Sequence, residues 1–326
     1  DGSVTFDGVT KINTPNYFYL PTGNTEDRGR GRGIFGHGAS PSTPTTINTI
    51  SYIDIQSSGI AQDFGDLTNS KLVSGSTASS IRGLWGGGYS NTNVINYITI
   101  STTSNAQDFG DLTQARHWVQ AGGNNTRGLF CGGNYGGSPA AHSNVIDYVT
   151  IASTGDAIDF GDSTRLSSVS SGSACQSSTR TIFAGGGDPS NVDINIIEYV
   201  TTASTGNAQD FGDMIDANRG YGGCSSPTRG LFMGGSTPTI KNTITYITIA
   251  STGNAQDFGD LTQVRSHLAS CSNSIRGVAA GGYTPTYTNT IDYVIVSSTG
   301  NANDFGDLTY IVNHISGCSD SHGGLG

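Results

Sequence analysis

Basic residues, methionine, tryptophan and long apolar runs are all scarce in these 326 residues. No apolar stretch reaches the ~18 residues that a membrane-spanning helix needs, so insertion by helices is excluded. No secretory leader pattern is visible either. Only 15 lysines and arginines stand against 25 aspartates and glutamates, for a net charge of −10. A nucleic-acid ligand needs a Lys/Arg stripe to neutralise its phosphates, and the chain has none. Charged residues make up only 12% of the chain and glycines number 48, a composition unsuited to long helices or an α/β enzyme. The five cysteines, Cys131, Cys175, Cys224, Cys271 and Cys318, are widely spaced and odd in number. They match neither a CxxC metal pattern nor a disulfide framework and read as free thiols. No HExxH, GxSxG or EF-hand series occurs.

What the chain does have is a repeat. Asp-Phe-Gly-Asp begins at Asp63, Asp108, Asp159, Asp210, Asp257 and Asp304, at spacings of 45, 51, 51, 47 and 47 residues, the range of propellers and solenoids. An alternating segment centred on Tyr52, Tyr97, Tyr148, Tyr199, Tyr246 or Tyr293 precedes each copy and predicts a strand. Upstream of it comes a strand opened by arginine and usually closed by paired glycines, as in RGLWGGG from Arg82 and RGLFCGG from Arg127. A small-residue segment follows each Asp-Phe-Gly-Asp, as in HLASCSN from His267.

Four strands per unit follow: a, the small-residue strand next to the axis; b, the arginine strand; c, the tyrosine strand; and d, the Asp-Phe-Gly-Asp strand. The first unit starts at strand b, while the segment from Val312 to Ser319 is an orphan strand a. Pairing the two closes a ring and removes the open sheet edges. The expected fold is therefore all-β: a six-bladed β-propeller of four antiparallel strands per blade over residues 32–326, with residues 1–31 as an N-terminal extension or docking arm.

The diglycine ending strand b, the strand-c tyrosine, the large aromatic of strand d and the arginine that follows resemble the kelch family of β-propellers. Phe64 and its five equivalents stand where kelch blades usually carry tryptophan, and Ala279 replaces the aromatic of strand b. The wording NVIDYVTIASTG with DFGD and an RGLF strand is similar to repeat proteins encoded by marine tailed bacteriophages. That resemblance implies a virion or tail-fibre component, located on the virion or outside the cell. Its expected partners are other assembly subunits, copies of itself, and a host surface glycan.

Six copies of a residue at one blade position mean six structural duties more often than six active sites. Asp-Phe-Gly-Asp, lacking a kinase lysine strand and catalytic loop, reads as a bulge or turn whose carboxylates accept backbone N–H bonds, with Arg116, Arg165 or Arg265 as partners. The STGN stretches read as hairpin turns between strands c and d. Cys175, Cys224, Cys271 and Cys318 share one place in strand a, expected on the axis, with Gly75 and Gly122 in the other two blades. His267 and His314 are equivalent and expected near one mouth of the channel. No metal or other cofactor is expected.

The a–b and c–d connections of an antiparallel blade share one face, and the b–c and d–a connections share the other. The first set barely changes along the chain, whereas the b–c loops diverge, from YSNT after Gly88 to NYGGSPAAHS after Gly133 and YTPTYT after Gly282. Divergence inside a uniform repeat marks recognition or tolerated drift. Tyr89, Tyr135, His142, Asp188, Asp193, Tyr283 and Tyr287 are the ligand-binding candidates, since aromatic rings stack on sugars and short polar groups bond their hydroxyls. The expectation is a non-enzymatic structural or adhesive protein. The alternatives are a cellular scaffold or filament and a sugar-active enzyme, which would need clustered copper ligands or paired carboxylates.

Overall fold

The alternating tyrosine segments become, in the computed structural model, the third strands of six four-stranded antiparallel sheets. Residues 31–41, 46–70, 72–136, 141–167 and 174–325 are described, so the expected N-terminal arm, Gly31 apart, lies outside the described residues. Blade two shows the plan: Gly75–Ala78 is innermost, then Arg82–Gly86 and Val94–Thr99, with Gln107–Asp111 outermost. In Val94–Thr99 the buried Ile95 and Ile98 belong to different cores, because the two faces of a blade pack on different neighbours. Six apolar clusters result, one in each wedge between adjacent blades.

Blade one is made from both ends of the chain. Ser316–Ser319 pairs antiparallel with Arg32–Ala39, from Gly33 opposite Ser319 to Gly36 opposite Ser316. This split hairpin reproduces the chemistry of the covalent ones. In blade two the Arg82 amide donates to Ser79 Oγ at 3.0 Å, and in blade three the Arg127 amide donates to Asn124 Oδ1 at 2.9 Å. In blade one the Arg32 amide donates to Asp320 Oδ1 at 2.8 Å, across the gap in the chain. The open edges expected of a linear array are thereby paired.

Each repeated motif proves to be an inter-blade lock. The strand-b arginine lies over the strand-c tyrosine of its own blade, 4.6 Å from the ring centroid for Arg32 on Tyr52 and 4.4 Å for Arg276 on Tyr293. Its Nη1 then donates to the next blade: Arg32 to Ile100 O at 2.7 Å, and Arg276 to Gln56 O at 2.9 Å, which carries the series over the junction of blades six and one. Asp-Phe-Gly-Asp is a bulge, with a register shift opposite it in every blade. Its glycine is needed for close approach: a Cβ on Gly65, at φ 145°, would sit 2.5 Å from Ser104 O of the following blade. The STGN stretch is more than a hairpin turn. The turn closes at its serine, where the Ser204 amide donates to Thr201 O at 3.1 Å, and the stretch then runs along the previous blade, with the Gly206 amide donating to Phe160 O at 2.8 Å.

Two expectations are corrected. The arginines after strand d do not pair with Asp-Phe-Gly-Asp: Arg116 binds Asp147, Arg165 binds Glu198 and Arg265 binds Asp292, each acid lying in strand c of the next blade. The bulge leaves the first aspartate of the motif in solvent, so the buried acid is the one that needs a counter-charge. The place equivalent to the four cysteines is held in blade two by Thr77, opposite Leu84, and not by Gly75; the hairpin register sets this count.

The cysteines fill notches made by the strand-b glycines of the following blade. A Cβ on Gly33 would come within 2.6 Å of Cys271 Sγ, and one on Gly83 or Gly277 within 3.1 Å of Cys318 or Cys224. Thr77 fills the notch at Gly128 in the same way. Cys224, Cys271 and Cys318 also line the axial cavity, which has a volume of about 20 Å³, room for roughly one water.

Candidate functional site

The two ends of the axis are closed differently. On the a–b face the C-terminal turn folds over the channel: His322 is buried, with Nε2 2.8 Å from Ala78 O and Nδ1 3.0 Å from Gln176 Nε2. Gly323 and Gly324 there approach the backbone of blades three to five closely.

On the opposite face the mouth is ringed by the d–a connections. Among the described residues, the tenth residue after the first aspartate of Asp-Phe-Gly-Asp has a left-handed backbone, with φ of 56° at Val73, 60° at Trp118, 67° at Gly220, 54° at His267 and 53° at His314. The blade-four member lies outside the described residues. This conformation turns the chain inward, so that the amide of one ring member reaches the carbonyl of another: Trp118 to Val73 at 2.9 Å, His267 to Gly220 at 2.6 Å and His314 to His267 at 3.0 Å.

The side chains of that ring meet across the axis. Trp118 lies 5.2 Å from His314 and 6.0 Å from His267, centroid to centroid, and the two imidazoles lie 4.4 Å apart. Burial lowers His267 to about 3 and His314 to about 4, the neighbouring imidazole adding to the effect at His267, so both rings are neutral at neutral pH. The aromatic surface continues outward through His117, whose ring is 5.8 Å from that of Tyr89. His117 is held by Asn91 Oδ1 at 2.7 Å from Nδ1, and burial lowers its pKa too.

The expected site residues are placed as follows. Tyr89 is 63% exposed and joins this aromatic surface. Tyr283 is edge-on to Tyr287 at 6.0 Å, and its backbone bridges to Ser266, next to His267, so this pair borders the mouth. Tyr135 pairs with Ala141 in a short extra hairpin, and His142 Nδ1 lies 2.9 Å from Asn134 Oδ1; both side chains are half-buried. The Asp188 carboxylate accepts the Ser190 and Val192 amides, each at 2.8 Å, and so shapes its own loop. Asp193 binds Arg219 and Thr237, tying the blade-four loop to its neighbours. Parts of the first and third b–c loops, residues 42–45 and 137–140, lie outside the described residues.

The b–c loops thus supply Tyr89 and Tyr283 as a rim, while the centre of the site comes from the d–a connections. Trp118 and His117 were not among the candidates. The signal existed: alignment on Asp-Phe-Gly-Asp puts Trp118 at the same place as His267 and His314. Among the described residues, no three His, Cys, Asp or Glu side chains are grouped to hold a metal ion. The chain matches no protein-family model and no curated protein.

Proposed function

We propose that this chain is a non-enzymatic structural and adhesive component of a tailed-phage particle, a kelch-like platform whose b–c and d–a face recognises a host surface glycan or a partner protein. The observation that carries this reading is the contrast between the two faces. The loops of one are consumed in repeated inter-blade locks, whereas the other gathers Trp118, His117, His267, His314 and Tyr89 into one aromatic and polar surface. Such surfaces suit recognition of sugars and proteins.

The acidic side chains proposed for this face support binding over hydrolysis, since Asp188 and Asp193 are committed to loop hydrogen bonds. The virion assignment rests on the likeness of the repeat wording to marine phage proteins, and assembly with further subunits or copies of itself follows from that assignment. The test has two parts. Mass spectrometry of purified virions is expected to find the chain in the particle. Joint replacement of Tyr135, Tyr283 and Tyr287 by alanine is expected to weaken binding to host surface glycans, and unchanged binding would remove these loops from the site.

A further inference from the structure

We propose that the axial mouth of this face is a subsite for an uncharged pyranose unit, with the Trp118 indole as its stacking platform and His314 as a hydrogen-bonding partner. The inference rests on the reading of this face as the recognition face and adds the ligand class and the residues that take it.

The first argument comes from the backbone. The inward turn of the d–a connections requires a left-handed residue, and Gly220 meets that need without steric penalty at φ 67°. Val73, Trp118, His267 and His314 adopt the same conformation against the clash of their Cβ atoms; Val73 buries its side chain, whereas the other three direct theirs to the axis. Strained residues of this kind persist where their side chains are used. These three arrive from opposite sides of the ring and meet at one point.

Sealing the channel does not account for them. The axial cavity is about 20 Å³, and the C-terminal turn with His322 already covers its other end. Trp118, moreover, remains half-exposed.

The chemistry selects the ligand class. An indole face flanked by imidazoles accepts the C–H face of a sugar ring, and neutral imidazole nitrogens bond hydroxyls as donor or acceptor. His314 Nδ1 is buried with no hydrogen-bond partner, so a turn of the imidazole that brings this nitrogen to a ligand hydroxyl breaks no bond there. Among the described residues, the cation whose charge acts on His267 is Arg219, and it is paired with Asp193 and bonded to Asn191, which favours an uncharged sugar over an acidic one.

The test uses methyl β-D-galactopyranoside, methyl β-D-glucopyranoside and methyl α-D-mannopyranoside at up to about 100 mM, enough to saturate millimolar sites. Trp85, the other tryptophan, is fully buried, so a change in emission reports Trp118. At least one glycoside is expected to change that emission and to show saturation transfer to its ring protons. Trp118→Gly keeps the backbone that Gly220 tolerates, so its melting temperature is expected to be unchanged or higher while glycoside affinity falls about tenfold or more. Equal glycoside affinity in Trp118→Gly would overturn the subsite. So would the absence of glycoside binding in the wild type, even if host glycans still bound through the tyrosine loops and the wider reading stood.

Discussion

Gly122 and Thr181 exchange the roles that cysteine and glycine play elsewhere in the ring. In the other five wedges a strand-a side chain, cysteine or Thr77, enters a notch at a strand-b glycine of the next blade. Between blades three and four the knob comes from strand b: a Cβ on Gly122 would stand 3.1 Å from Thr181 Cγ2. This is why blade four reads RTIFAGG where other blades read RG. Gly122→Cys is expected to overpack the wedge, which also holds Ala174 at 2.6 Å, and to cost about 1–3 kcal/mol. Adding Thr181→Gly is expected to recover part of the loss, with a coupling of about 0.5–3 kcal/mol in urea titrations. Strictly additive losses would refute the knob exchange.

The same packing makes the thiols inert. All five cysteines are free and buried, and burial raises each thiol above its ordinary value, Cys224 to about 12. The native chain is therefore expected to leave an aromatic disulfide reagent unreacted at pH 8 and to release all five thiols once unfolded. Rapid titration of any of them in the native state would mean that its wedge opens readily.

The ring, its blade count and its closure were legible because Asp-Phe-Gly-Asp, the tyrosine and the arginine each recur at one place per blade, and the orphan strand after Val312 had a single vacancy to fill. The partners of those motifs were not legible. Asp147, Glu198 and Asp292 occupy a strand-c position that is Ser51, Asn96 or Thr245 in the other blades, so no uniform repeat advertised them. The site was half legible. Loop divergence placed Tyr89 and Tyr283 on the face that carries the axial mouth, but Trp118 sits in a connection whose role depends on a left-handed backbone and on contacts across the axis. Sequence spacing within one blade carries no information about such contacts.

Asp147 is expected to be among the most sensitive acids in the chain. It accepts Arg116 Nη2 at 2.6 Å and Thr113 Oγ1 at 2.5 Å, and both members of the ion pair are fully buried. Burial lowers the Arg116 pKa, and Asp147 opposes that shift. Asp147→Asn would leave a buried guanidinium without its counter-charge and is expected to cost about 3–5 kcal/mol. Arg116→Met with Asp147→Leu is expected to lose much less, as read by denaturant midpoints at constant m. A loss under about 1 kcal/mol for Asp147→Asn would show that the pair is not desolvated as described.

Closure of the ring carries its own pH dependence through Asp320. Burial raises this carboxyl from its ordinary value of 3.8 to about 6, against the opposing effect of the Arg32 amide and guanidinium. A raised carboxyl contributes stability that is complete below about 3.8 and is lost as pH rises through about 6. His267, His314 and His322, lowered by burial to about 3, 4 and 4, act in the opposite sense: their contribution is present above about 6.5 and is lost as pH falls toward those values. Asn124 and Asn273 show that asparagine serves as the same cap in covalent hairpins. Asp320→Asn is therefore expected to keep the bond to the Arg32 amide and remove the buried charge. It should raise the melting temperature by on the order of 2 °C at pH 8 and have little effect at pH 4. Asp320→Ala, which loses the cap, should melt lower than Asp320→Asn at both pH values. If Asp320→Asn melts below the wild type at pH 8, the charge itself holds the first blade shut, and the split hairpin differs in kind from the five continuous ones.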